Sequence, residues 1–124
     1  VSFQARVVGV TFRTENCKFD RQEIISRLQG GEKIYLKREP NNPKDENAVA
    51  VMVKRIKGKD YKVGYIRKEL AAFLADTWSK YKYAARIFEI RRGDLKRGAK
   101  FGLTVSITKI ERSKLTKNKK KKGR

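Results

Sequence analysis

The chain contains no histidine and one cysteine, Cys17. Without an imidazole there is no His general base, no His-based triad and none of the usual zinc constellations, and a lone thiol cannot close an intramolecular disulfide. An intracellular protein without a structural metal or other cofactor is the expectation. Proline is scarce as well, since Pro40 and Pro43 are the only two in 124 residues. No window approaches the ~20 apolar residues of a membrane-spanning helix, and the N-terminus has no signal-peptide pattern, so a soluble protein is expected. Acid is the remaining shortage. Asp and Glu number 13 against 33 Lys and Arg, a formal net charge of +20. Eight of those positive charges and no acid fall in residues 112–124, which leaves +12 on residues 1–111. An excess of that size argues for a polyanionic partner, with nucleic acid the commonest kind and an anionic membrane surface second.

Both prolines lie in the run Leu36-Lys37-Arg38-Glu39-Pro40-Asn41-Asn42-Pro43-Lys44-Asp45-Glu46-Asn47-Ala48-Val49-Ala50-Val51. It reads as strand, rigid turn, strand, because each proline fixes its own φ and biases the preceding residue towards extended geometry. Asn41, Asn42, Asp45 and Asn47 can bond nearby backbone groups, so one reading of the loop is a turn that satisfies its own main chain. Glu39, Asp45 and Glu46 also concentrate acid in a basic protein, and a stiff loop carrying functional groups is a common place for binding residues.

The remaining chain alternates between two periods. Residues 2–12 read as a strand whose apolar phase switches beside Gly9, where a bulge or sharp coil would re-aim Phe12. Asp20 followed by Glu23 predicts a helix start, with Ile24, Ile25 and Leu28 as its apolar stripe over roughly 21–29 and Gly30-Gly31 as its stop. Strands are expected over 32–38, 47–56 and 61–66, the middle one apolar on both faces and hence central. Residues 67–81 place Leu70, Phe73, Leu74, Trp78 and Tyr81 at helical spacing, a stripe best read as core. Two further strands are expected over 83–92 and 99–110. In the last, Phe101, Leu103, Val105 and Ile107 face inward and the alternate residues face water. Six strands and two helices predict an α+β, mostly β domain over 1–111. Its antiparallel sheet curls into a small OB-like barrel, followed by a disordered basic tail over 112–124.

The motifs Val8-Gly9-Val10-Thr11-Phe12, Arg21-Gln22-Glu23, Gly31-Glu32, Leu36 to Pro43 with Asp45 and Asn47 to Val51, and Val63-Gly64-Tyr65-Ile66 together closely resemble the HIRAN domain. HIRAN domains stand at the N-terminus of Snf2-type DNA translocases of the helicase-like transcription factor kind, and alone or fused in bacteria and phages. The resemblance implies a non-catalytic module with an OB-like barrel that captures the free 3′ end of single-stranded DNA, in DNA repair or replication-fork processing. A helicase or translocase in cis or in trans, a monomeric state, no membrane partner and a cytoplasmic, nucleoid or nuclear location are further expectations. It implies a pocket floored by Asp45, whose carboxylate accepts a hydrogen bond from a 3′-hydroxyl and repels a 3′-phosphate. Phe12 corresponds to an aromatic that stacks on the terminal base, and Phe101 to one that lines the pocket. Tyr65 corresponds to a side chain near the terminal nucleotides and Lys68 to a phosphate contact. Lys44 stands where the family often has Tyr, exchanging a stacking platform for a cation, and Thr11 stands where the translocases carry Arg.

Blander roles stand beside these. Asp45 is equally suited to an Asx-turn. Phe101 is in phase with Leu103 and Val105 and reads as core at the barrel mouth, whereas Phe12 is the better exposed platform. Glu39 and Glu46 read as ordinary loop carboxylates. Two other functions compete: a metal-dependent nuclease using the loop carboxylates, and a basic RNA-binding or structural module of a larger assembly.

Overall fold

The computed structural model describes residues 2–11, 20–55 and 58–112. Chain order is β1 (Ser2–Val8), α1 (Arg21–Ser26), β2 (Ile34–Arg38), β3 (Val49–Val53), β4 (Tyr61–Ile66), α2 (Lys68–Asp76), β5 (Tyr81–Arg91), a 3₁₀ turn (Leu95–Arg97) and β6 (Gly102–Glu111). All pairings are antiparallel, in the order β2-β3-β4-β1-β6-β5.

The sheet closes because β1 changes partner along its length. Ser2 to Arg6 pair with β6, whereas Val7 and Val8 pair with Ile66 and Tyr65 of β4. Gly9 then turns the chain at φ 69°, the sharp bend expected beside the phase switch. The close approach of β1 and β4 depends on Gly64, where a Cβ would lie 2.5 Å from both Val7 Cγ1 and Val8 O. At the far edges an antiparallel bridge between Lys33 and Arg86 brings the β2 side against β5. The result is a nearly closed, OB-like barrel of six strands with two helices.

Val49, Val51, Val63, Leu103, Val105 and Ile107 fill the core with Ile25 of α1 and Leu74 of α2. β3 is buried at every position, as its two apolar faces predict. α1 starts at Asp20, whose Oδ1 accepts from Glu23 N at 2.9 Å, and its regular turns end at Ser26, three residues short of the expected stop.

Two expectations are corrected. The stripe over 67–81 is not one helix. α2 ends at Asp76, where Thr77 turns the chain by bonding Phe73 O at 3.1 Å and the Tyr83 hydroxyl at 2.6 Å. Trp78 and Tyr81 therefore pack on Tyr83 from outside the helix. Leu70, Ala71 and Leu74 define the inward face, which leaves Phe73 rotated off it and 53% exposed. The second correction concerns β6, whose outer face is not uniformly wet, since Gly102 and Thr104 are both buried.

Candidate nucleic-acid interface

The loop between β2 and β3 is closed by its own backbone. Glu39 N donates to Ala48 O at 2.9 Å, Asn42 N to Glu39 O at 3.0 Å and Ala48 N to Asp45 O at 3.1 Å. Asn42 Oδ1 accepts from Lys44 N at 2.9 Å and Asp45 N at 3.2 Å, while Asp45 Oδ1 accepts from Asn47 N at 2.9 Å. Asp45 is thus the Asx-turn residue that the sequence allows. It is half-buried, and among the described residues its second carboxylate oxygen takes no hydrogen bond. Lys44 beside it is exposed. At the base of the loop Arg38 Nη2 donates to Glu46 O at 3.4 Å.

Glu39 is not an ordinary loop carboxylate. Its Oε1 accepts from the Tyr65 hydroxyl at 2.7 Å and from Asn42 Nδ2 at 3.1 Å, and its Oε2 pairs with Lys62. Lys62 Nζ also donates to the Tyr65 hydroxyl at 3.0 Å. Burial pushes the Glu39 carboxyl up, but hydrogen bonds from Lys62, Tyr65 and Asn42 outweigh it and hold the group below its usual range. Burial likewise works downward on Lys62, and the bonds to Glu39 and Tyr65 overcome it and raise the ammonium. One carboxylate therefore joins the loop to β4 and fixes the Tyr65 ring.

A second clamp comes from the first turn of α1. Arg21 and Gln22 are both buried, although helix starts usually show such residues to water. Arg21 Nη1 donates to Gly9 O at 2.8 Å, and its guanidinium lies 5.5 Å from the Tyr65 ring centre. Gln22 Nε2 donates to Val10 O at 3.1 Å and Phe101 O at 2.9 Å, and Gln22 Oε1 accepts from Phe101 N at 2.7 Å.

Register puts these pieces at one end of the barrel. Tyr65 pairs with Val8 on one side and with Ala50, just beyond the loop, on the other. Lys68, exposed, opens α2 three residues later. Phe101 is half-buried at the start of β6 and packs on the core, as a residue at the barrel mouth should. Tyr65 and Phe101 are tied together through Arg21 and Gln22, and Asp45 is tied to Tyr65 through Asn42 and Glu39. Thr11 is exposed on the segment leading to Phe12, and Phe12 itself lies outside the described residues. Glu39, Asp45 and Glu46 do not converge, because the first two carboxylates have separate partners.

A basic OB-like barrel with a braced loop, a fixed tyrosine and a half-buried phenylalanine at one rim defines a small binding module. The chain belongs to the HIRAN family, whose domain matches residues 1–108. It is 48% identical over 48 residues to a helicase-like transcription factor of Oryctolagus cuniculus, covering 39% of this chain and 4% of that protein. Its structure is similar to the HIRAN domain of human HLTF, with a TM-score of 0.59 and 26% identity over 89% of this chain and 75% of the other. A Lactobacillus plantarum protein shares the fold with a TM-score of 0.58 and 22% identity over 90% of this chain and 95% of its own. These relationships support a nucleic-acid-binding module. Among the described residues no helix is long and apolar enough to cross a membrane.

Sequence reasoning missed Lys62 and the bracing roles of Glu39, Arg21 and Gln22. Glu39 follows β2 and Lys62 lies in β4, so only the pairing of both strands with β3 brings them together. Arg21 and Gln22 stand in the Arg21-Gln22-Glu23 motif, but their bonds to Gly9, Val10 and Phe101 join segments far apart in sequence.

Proposed function

We propose that this HIRAN domain binds single-stranded DNA and captures a free 3′-OH end, serving a helicase or translocase in cis or in trans during repair or replication-fork processing inside the cell. The observation that carries the reading is Asp45. It is a half-buried carboxylate in a chain of net charge +20, held by one oxygen to Asn47 N and presenting the other.

The carboxylate distinguishes the groups that can terminate the last sugar. A 3′-hydroxyl donates to the waiting oxygen in a charge-assisted hydrogen bond. A 3′-phosphate has no such proton at that position and brings like charge to the carboxylate, so it is rejected. Phe101 supplies an apolar wall for the terminal nucleotide, and Phe12 supplies a stacking platform by its match to the family pattern, worth about 1–3 kcal/mol per base and indifferent to sequence. Tyr65, whose hydroxyl bonds Glu39, offers its ring to the terminal nucleotides. Lys44 and Lys68, both exposed, contact phosphates. Lys44 in place of a family tyrosine shifts the balance from stacking to charge, so this domain should bind more salt-sensitively than one with an aromatic there.

Fluorescence polarisation with one oligonucleotide ending in 3′-OH or 3′-phosphate tests the reading. Tighter binding of the hydroxyl end supports it, and equal affinity refutes end capture.

A further inference from the structure

The outer face of β1, β6 and β5 carries an exposed aromatic among cations that the pocket does not use. Arg6, Thr104 and Glu89 align in one rank across the three strands, and Gln4, Ser106 and Arg86 in the next. Leu103, Val105 and Ile107 of β6 are fully buried in the core, so alternation turns Thr104 and Ser106 outward together with their cross-strand neighbours. Ile87 pairs with Val105 and Glu89 with Thr104, which makes Phe88 an extra residue of β5. Such a bulge re-aims a side chain, and here the Phe88 ring stands 55% exposed.

One of the cations, Arg91, is held in place. Arg91 pairs with Gly102, and a Cβ at Gly102 would lie 2.1 Å from Arg91 Nη2, so the guanidinium rests where a side chain would otherwise be. Its Nη1 donates to Thr104 Oγ1 at 3.1 Å, and Thr104 is only 8% exposed. Glu89 approaches Arg91 no closer than 3.9 Å, and the face retains an excess of positive charge from Arg6, Arg86 and Arg91. Gly102 directly follows Phe101, so this face begins at the rim that holds the pocket.

We propose that this face is a track for the nucleic-acid strand running away from the pocket. Phe88 stacks on a base, and Arg6, Arg86 and Arg91 contact phosphates. The proposal rests on the nucleic-acid reading above and extends it to the body of the strand. From Arg91 to Arg86, opposite Gly102 to Ser106, the track spans roughly 13 Å at the ordinary strand rise. That length suits the several nucleotides typical of one OB-type fold.

The test uses the full chain with Phe88→Ala and Arg86→Glu, both at exposed positions, and melting curves to establish that each variant folds. Labelled oligonucleotides of about 4 and about 16 nucleotides share one 3′-OH end. The expected result is that the longer strand binds wild type more tightly and that each variant weakens it by about fivefold or more, leaving the shorter strand unchanged. Equal wild-type affinity for both lengths, or variants that leave the longer strand unaffected because the face docks a protein instead, would overturn the track. So would equal losses on both lengths. The two readings fail separately, since a 3′-phosphate tolerated on the short strand removes end capture while the length effect stands or falls with Phe88 and Arg86.

Discussion

Tyr65 donates its hydroxyl hydrogen bond to Glu39 Oε1 at 2.7 Å, so the site loop and the fourth strand share one carboxylate. Removing that charge tests the brace. Glu39→Gln should lower stability by about 1–3 kcal/mol at neutral pH, because the Lys62 and Tyr65 donors lose a charged acceptor. The measurement is the melting temperature of both proteins.

The same pair has a pH signature. Glu39 is held below its ordinary 4.5 in the folded chain, so it contributes stability above 4.5 that disappears as pH falls through the lowered folded value. Lys62 is held above its ordinary 10.5, so its contribution is complete below 10.5 and disappears as pH rises through the raised folded value. The gap in melting temperature between wild type and Glu39→Gln should therefore be widest between those limits and narrow in acid. Parallel acid profiles would contradict the assignment.

Gln22→Leu should destabilise by roughly 2–4 kcal/mol, since a buried residue gives up bonds to Val10 O, Phe101 O and Phe101 N at once. Amide exchange should speed up at Phe101 before the centre of β6 responds. Uniform acceleration along the strand would show that Gln22 does not act as a local clamp.

How much of this was legible in the sequence depends on whether a feature is local. Val49 to Val53, apolar on both faces, named the central strand, and Gly9 beside a phase switch named the bend. Asp20 and Glu23 named a helix start, but nothing in 67–81 marked the end at Asp76, because Thr77 stops the helix through a bond to Tyr83 across the fold. The bulge at Phe88 is likewise invisible until β5 and β6 are paired. Asp45 could be singled out from its loop. Its dependence on Glu39, Lys62 and Tyr65 could not, because that network exists only after three strands have taken their register.

The basic segment 113–124 lies outside the described residues, and its proposed role is sequence-independent affinity. Its deletion should flatten the dependence of log K on log salt for single strands by about 0.7 per lost phosphate contact. The 3′-end preference should survive, because the residues proposed to read the end all precede residue 113. An unchanged slope would show that the tail does not touch the strand.

Asp45 is proposed to read the end of the strand as well as to hold the turn, and Asp45→Asn separates the two roles. Its side-chain oxygen can still accept from Asn47 N, whereas the negative charge is gone. The decisive measurement is the ratio of affinities for 3′-OH and 3′-phosphate ends, taken for wild type and Asp45→Asn by the same polarisation titration. The account predicts a preference for the hydroxyl in wild type that collapses to near unity in Asp45→Asn, with the fold and salt-sensitive binding retained. A ratio that is the same in both proteins would contradict it.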